Sequence, residues 1–215
     1  MDAATFVTQF RAETRDDADP PLWSDAAIVS YLDEAQKQFC DKTIGIADSV
    51  SAVCKVALPA DGEVVNLSPK IKAIRRATLV ERQREMCLIS VEDARVDGIF
   101  MGGPKGEPRH LITGVGGSKA QIAPIPNADY NLHLDVYRFP LADIESVGDD
   151  IEVDELFVPI LMHYVLFRAY ARQDADTIDL RRSQEHLVAF TMGCEAANLT
   201  LASRRTKQRI INSSW

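Results

Sequence analysis

The sequence predicts an α+β fold, mainly α: a helical bundle made of an N-terminal helix and a C-terminal helical hairpin, with an inserted antiparallel β-rich region and an extended C-terminal tail. Three observations lead there. Leu156, Phe157, Ile160, Leu161, Tyr164, Val165 and Ala169, then Ser183, Leu187, Phe190, Cys194, Ala197 and Leu201, recur at spacings of three and four, as apolar helix stripes do. A capped stripe from Ser24 to about Thr43 supplies a further helix. Between them, from about Ser49 to Val147, helical spacing gives way to alternation and turn residues. The expected divisions are 1–48 and 149–203 for the two parts of the bundle, 49–148 for the insertion and 204–215 for the tail.

Residues 2–15 read as a short helix with Phe6, Val7 and Phe10 on one side, ended by the run Asp16 to Pro21. Ser24 is a good N-cap with Asp25 in the first turn, and Trp23 and Ile28 hold the two positions of a hydrophobic staple. Ile28, Tyr31, Leu32, Ala35 and Phe39 continue that helix. In the middle, Ser51 to Leu58 alternates in part and runs into the turn Pro59 to Gly62, with Val64 to Leu67 as a returning strand. Ile71 to Val80 fits either period poorly and favours strand over its second half. Met86 to Asp97 reads as a short helix or a turn region before a glycine-rich stretch that ends at Pro104. Leu111 to Gly114, a tight turn at Gly116 and Gly117, and Ala120 to Pro124 form a hairpin pattern. Tyr130, Leu132, Leu134 and Val136 then alternate with Asn131, His133, Asp135 and Tyr137.

The hairpin's start is marked by Asp149, Asp150, Glu152, Asp154 and Glu155, placed where a helix N-terminus carries partial positive charge. Pro159 belongs in a first helical turn, where its missing N–H does no harm. The segment Gln173 to Asp176 interrupts the pattern, and a link that short makes the two helices antiparallel neighbours.

The 215 residues, 46% of them hydrophobic and 26% charged, are enough for one core or two small ones. No apolar run approaches the roughly 20 residues that span a bilayer, and the first residues have neither the basic nor the apolar region of a signal peptide. Synthesis in a cytosol is the expectation. Cys40, Cys54, Cys87 and Cys194 stand singly among apolar neighbours, as small buried residues rather than a disulfide framework or zinc site. The net charge of −8 argues against a general DNA-coating role. From Ser203 onward, however, Arg204, Arg205, Lys207 and Arg209 occur with no acid, and Ile210, Ile211 and Trp215 complete the end.

Catalytic motifs are not found. In Gly114 to Lys119 the order is Gly-Ser-Lys, not the Gly-Lys-Ser/Thr of a phosphate-binding loop, and a hairpin turn explains it better. His110, His133, His163 and His186 lack metal-ligand spacing and read as satisfied or surface histidines. The acidic groups (Asp16, Asp17 and Asp19; 149–155; Asp174, Asp176 and Asp179) fall at loops and helix starts, where solvation and dipole complementarity account for them. No metal, cofactor or catalytic residue is expected. The basic tail is either a frayed terminus or a docking segment with apolar anchors and charge-assisted hydrogen bonds.

Four stretches in order resemble the head–tail adaptor (connector) proteins of tailed bacteriophages. They are 22–36 (LWSDAAIVSYLDEAQ), 123–130 (APIPNADY), 132–141 (LHLDVYRFPL) and 161–176, which ends RAYARQDAD. The resemblance covers most of the chain and departs from the pattern in the looser, glycine-rich 114–127. It implies a non-enzymatic virion protein of the neck, present as a ring, usually of twelve copies, under the portal and extending the DNA channel. Its implied partners are copies of itself, the portal protein, a downstream tail or nozzle protein, and passing double-stranded DNA without specific binding; no membrane is implied. It also implies a C-terminal segment reaching onto the portal, here Arg204, Arg205, Lys207, Arg209, Ile210, Ile211 and Trp215. An acidic chain with its positive charge gathered at one docking end would suit a conduit that must not hold DNA. The other readings are a head-completion stopper or tail-tube protein, and a small-ligand-binding module.

Overall fold

The computed structural model describes residues 1–99, 103–172 and 178–210, with side chains as far as 203. Helices take 43% and strands 25%, a mixed α+β chain. In chain order the helices are α1 (Ala3–Thr14), α2 (Asp25–Lys42), α3 (Val91–Val96), α4 (Val158–Ala171) and α5 (Leu180–Ile210). The strands are β1 (Ile46–Asp48), β2 (Lys55–Leu58), β3 (Val64–Asn66), β4 (Ile71–Leu79), β5 (Arg84–Glu85), β6 (Cys87–Ser90), β7 (Lys105–Gly106), β8 (His110–Thr113), β9 (Lys119–Ala123), β10 (Ile125–Pro126) and β11 (Tyr130–Arg138). The chain divides into two compact units: a helical one of residues 1–46 and 139–215, and a β-rich one of residues 47–138. Residues 139–148, expected in the insertion, fall in the helical unit.

In the helical unit, the starts of α1, α2 and α5 are set by a side chain that satisfies an otherwise orphaned backbone N–H, whereas α4 has no side-chain cap. Asp2 accepts from Thr5 N–H at 2.8 Å to start α1, and Ser24 from Ala27 N–H at 3.3 Å to start α2. Asp179 accepts from Arg182 N–H at 3.0 Å at the start of α5. Trp23 and Ile28 are both buried, as a staple requires. Pro159 sits in the first turn of α4. One core joins Phe6, Phe10, Trp23, Leu32, Phe39, Leu161, Val165, Phe190 and Cys194.

The pairing of α4 with α5 runs Ile160 to Gly193, Tyr164 to Phe190, His163 to His186 and Phe167 to Ser183, which is antiparallel. Gly193 permits the closest approach, since a Cβ there would lie 2.9 Å from Ile160 Cγ2. Trp23 Nε1 donates to the Ala169 carbonyl at 3.2 Å, linking the N-terminal helices to α4.

Several expectations change here. The acids at 149–155 do not sit in the first turn of α4, which holds none. Instead Asp149 accepts from the Glu145 and Ser146 amides, Glu152 from those of Leu141 and Ala142, and Asp154 caps a short 3-10 turn. They organise the loop, because a chain that reverses before a helix exposes amides needing acceptors. Leu156, assigned to the apolar stripe, is 56% exposed because it lies in that 3-10 turn, out of phase with α4. Asp16, read as a solvated loop acid, is buried. It pairs with Arg11 at 2.9 Å and accepts from the Leu22 amide at 2.9 Å. The helix of α5 continues to Ile210, so helical backbone extends past the expected start of an extended tail at 204.

The β-rich unit has two larger sheets, one ordered β1-β11-β4-β5 with β2 also on β11, the other β3-β9-β8-β6, and a two-stranded sheet of β7 and β10. A shared core of Leu58, Ala77, Leu79, Leu132, Leu134 and Val136 from the first and Val65, Leu111, Ala120 and Ile122 from the second packs them together. The helix α3 covers the second sheet through Val91 and Ala94 on Ile112 and Ala123. The expectation of an antiparallel insertion is corrected at two places, since β6 pairs with β8 and β7 with β10 in parallel. Parallel strands need a crossover, and the β6–β8 crossover contains α3. The whole of 71–79 is strand, and 86–97 divides into β6 and α3. The hairpin β8–β9 and the alternation of β11 stand as read, except that Tyr137 is buried too.

Candidate interaction surfaces

Helix α5 is apolar on two sides. Ser183, Phe190, Cys194 and Ala197 are buried, with Leu187 and Leu201 half-buried beside them. Val188, Met192 and Leu199, four and seven residues apart, form a second stripe on the opposite side and are 49%, 64% and 74% exposed. A solvated helix normally keeps that side polar, so these residues mark a surface fitted for contact.

The expected docking residues continue from this helix. Arg204, Arg205, Lys207, Arg209 and Ile210 lie on the α5 backbone; Ile211 and Trp215 lie outside the described residues. Of the interruption at 173–176, all four residues lie outside them as well.

Several titratable and nucleophilic side chains have structural tasks. Among the described residues, no group of three or more His, Cys, Asp or Glu could hold a metal ion. Cys40, Cys54 and Cys194 are buried thiols, and burial pushes that of Cys194 up to about 12. Cys87 departs from the expectation and is exposed. His163 and His186, 23 positions apart, meet across α4 and α5 with their Nδ1 atoms 3.1 Å apart and rings stacked. Burial, then the facing His163, lower the His186 pKa. Tyr164 donates to Glu34 at 2.7 Å, and Arg168 pairs with the same carboxylate. A cavity of about 610 Å³ between α1 and α4 is lined by Met1, Ala12, Val158, Pro159, Met162 and Leu166, with Gln9, Glu13, Glu155 and His163 also on its wall.

Positive charge is not confined to the tail. Lys70, Lys72, Arg75, Arg76, Arg82 and Arg84 occur within fifteen residues that hold one acid, Glu81. The β-rich unit has twelve basic residues against eleven acidic, whereas the helical unit has twelve against twenty-one. On β4, Lys72, Ala73, Arg75 and Arg76 are all exposed. The pairing with β11 explains this: Arg76 faces Asp135 while Ile74 faces Val136, and Ala73 faces Tyr137 while Ile71 faces Arg138. Arg75 and Lys72 are the extra residues of two bulges. Each bulge breaks strict alternation, so two consecutive side chains reach solvent. The charge run was readable in the sequence; the bulges that expose it were not.

Beside this strand is a cavity of about 390 Å³. Lys72 and Ser68 line it with Thr113 of β8, Gly114 and Ser118 of the β8–β9 turn and Lys119 of β9, together with the apolar Leu67 and Leu88.

A family model described as SU10 adaptor protein matches residues 1–211. No curated protein matches the chain.

Proposed function

The chain belongs to the SU10 adaptor protein family, a phage head–tail adaptor family, and on that basis we propose that its copies form a ring of twelve beneath the portal, extend the DNA channel and join head to tail. The observation that carries the reading is the extent of the family match, which takes in both compact units. Membership makes it a structural component of a phage particle. No described helix is long and apolar enough to cross a membrane.

The exposed stripe of α5 supports a contact with a neighbouring copy. A ring repeats one head-to-tail contact, so each copy presents two different faces. The C-terminal segment, from Arg204 to Trp215, grips the portal through its basic side chains and apolar end. A downstream tail protein meets the opposite rim.

Negative-stain imaging of the purified chain mixed with portal particles tests the assignment. A ring added to one end of the portal is expected. A chain that binds tail tubes and ignores portals would instead be a tail-side component.

A further inference from the structure

We propose that the bulged face of β4 is a binding site for the phosphodiester backbone of double-stranded DNA: Lys72, Lys119, Ser68 and Ser118 seat a phosphate in the cavity they line, and Arg75 and Arg76 continue the contact along the strand. The site reads no sequence, since backbone contacts carry no base information.

Three observations converge. The basic run on β4 contrasts with the acidic surplus of the helical unit, so a chain of net charge −8 carries a local positive field. The two bulges turn Lys72 and Arg75 outward together with Ala73 and Arg76, where a regular strand would turn half of them inward. Arg75 is also held in place, its guanidinium carbon 5.1 Å from the centre of the Tyr137 ring. Finally, the cavity is lined by Ser68 and Lys72 from one segment and by Ser118 and Lys119 from another, so residues with hydroxyl and ammonium donors come from both of its walls. A phosphate, with oxygens on several sides, can use both walls at once, whereas a protein carboxylate offers two oxygens at one end. That favours the nucleic-acid backbone over an acidic protein face. The turn rejected as a nucleotide-binding loop is therefore one wall of a simpler anion site.

Nearby acids restrain the binding. Arg76 lies 3.8 Å from both Glu85 and Asp135, and a Cβ added at Gly114 would lie 4.0 Å from Glu92 Oε2, which puts that carboxylate near the Gly114 side of the cavity. The contact is accordingly weak and readily reversed, as passing DNA requires.

The test is fluorescence anisotropy of the full chain with two labelled 30-base-pair duplexes of unrelated sequence. Equal affinity for both is expected, falling on the order of 10²-fold between 50 and 200 mM NaCl if about four phosphates are neutralised. The double variant Lys72→Glu/Lys119→Glu should bind at least tenfold more weakly with an unchanged Tm, and Lys119→Gln alone severalfold more weakly. Arg95→Glu, on exposed α3, and removal of residues 204–215 should leave binding unaltered. Wild-type affinity in the double variant, or no binding at 50 mM NaCl, overturns the site. So does loss of low-salt self-association in the double variant with DNA binding intact, which would give the face to a second copy of the chain.

Discussion

Asp48 Oδ2 accepts a hydrogen bond from Arg138 Nε at 2.5 Å, which clasps the beginning of the β-rich unit to its last residue. Both side chains are sheltered, 8% and 10% exposed. Burial by itself would raise the Asp48 pKa. The Ser51 hydroxyl, the Val50 amide and the Arg138 guanidinium outweigh it and hold the carboxyl well below the usual range.

Replacing Arg138 with Met leaves a buried carboxylate without that cation and is expected to destabilise the β-rich unit by about 3–5 kcal/mol. Urea denaturation monitored by circular dichroism measures it. The Asp48 contribution is present above its ordinary pKa of 3.8 and is lost as pH falls below that value, because the unfolded chain then binds the proton first. Arg138→Met should therefore flatten the acid limb of the stability profile.

Gln36, on α2, is wholly buried, and neither amide atom has a hydrogen-bond partner among the described residues. Methionine fills nearly the same volume without the polar atoms. Gln36→Met should stabilise the helical unit by about 1–3 kcal/mol, read as a higher Tm by calorimetry. A lower Tm would show that the amide is satisfied in solution.

The His163–His186 contact should make the hairpin sensitive to mild acid. The lowered His186 pKa means that the unfolded chain takes up the proton first, below 6.5, so stability declines as pH drops through that value. The groups around it are His163 on α4, Glu13 on α1, and Glu185 and Arg182 on α5, with Tyr170 stacked on the ring. His186→Asn should reduce the change in Tm between pH 7.5 and 5.5, and imidazole NMR should show His186 titrating below 6.5.

Removing residues 204–215 shortens α5 at its far end, beyond Ala197 and Leu201, the last of its residues in the helical core. The truncated chain should keep its Tm to within a few degrees and fail to co-sediment with portal particles. Co-sedimentation at the full-length level would remove the docking role from this segment.

Much of the helical unit was legible because its signals are local. Ser24 with Trp23 and Ile28, Pro159, and the recurrence of Tyr164, Val165 and Ala169 each work over one to three turns. The β-rich unit was less so: β6 pairs with β8 across a crossover, and nothing near Cys87 to Ser90 encodes that partner. The candidate surfaces divide in the same way. The basic tail stands out in composition, but the basic run of β4 becomes a surface only through its pairing with β11. The meeting of His163 and His186 comes from antiparallel packing.

Near neighbours along the chain dictate where helices begin, which side of each is apolar, and where charge accumulates, because caps, periodicity and composition act over a few residues. Folding in three dimensions was needed to choose which of those features face one another: the Asp48–Arg138 clasp, the buried carboxylate of Asp16, the paired histidines and the bulged basic strand. Those depend on contacts between distant residues, where burial strips away water and a partner's position sets the energy of every charge.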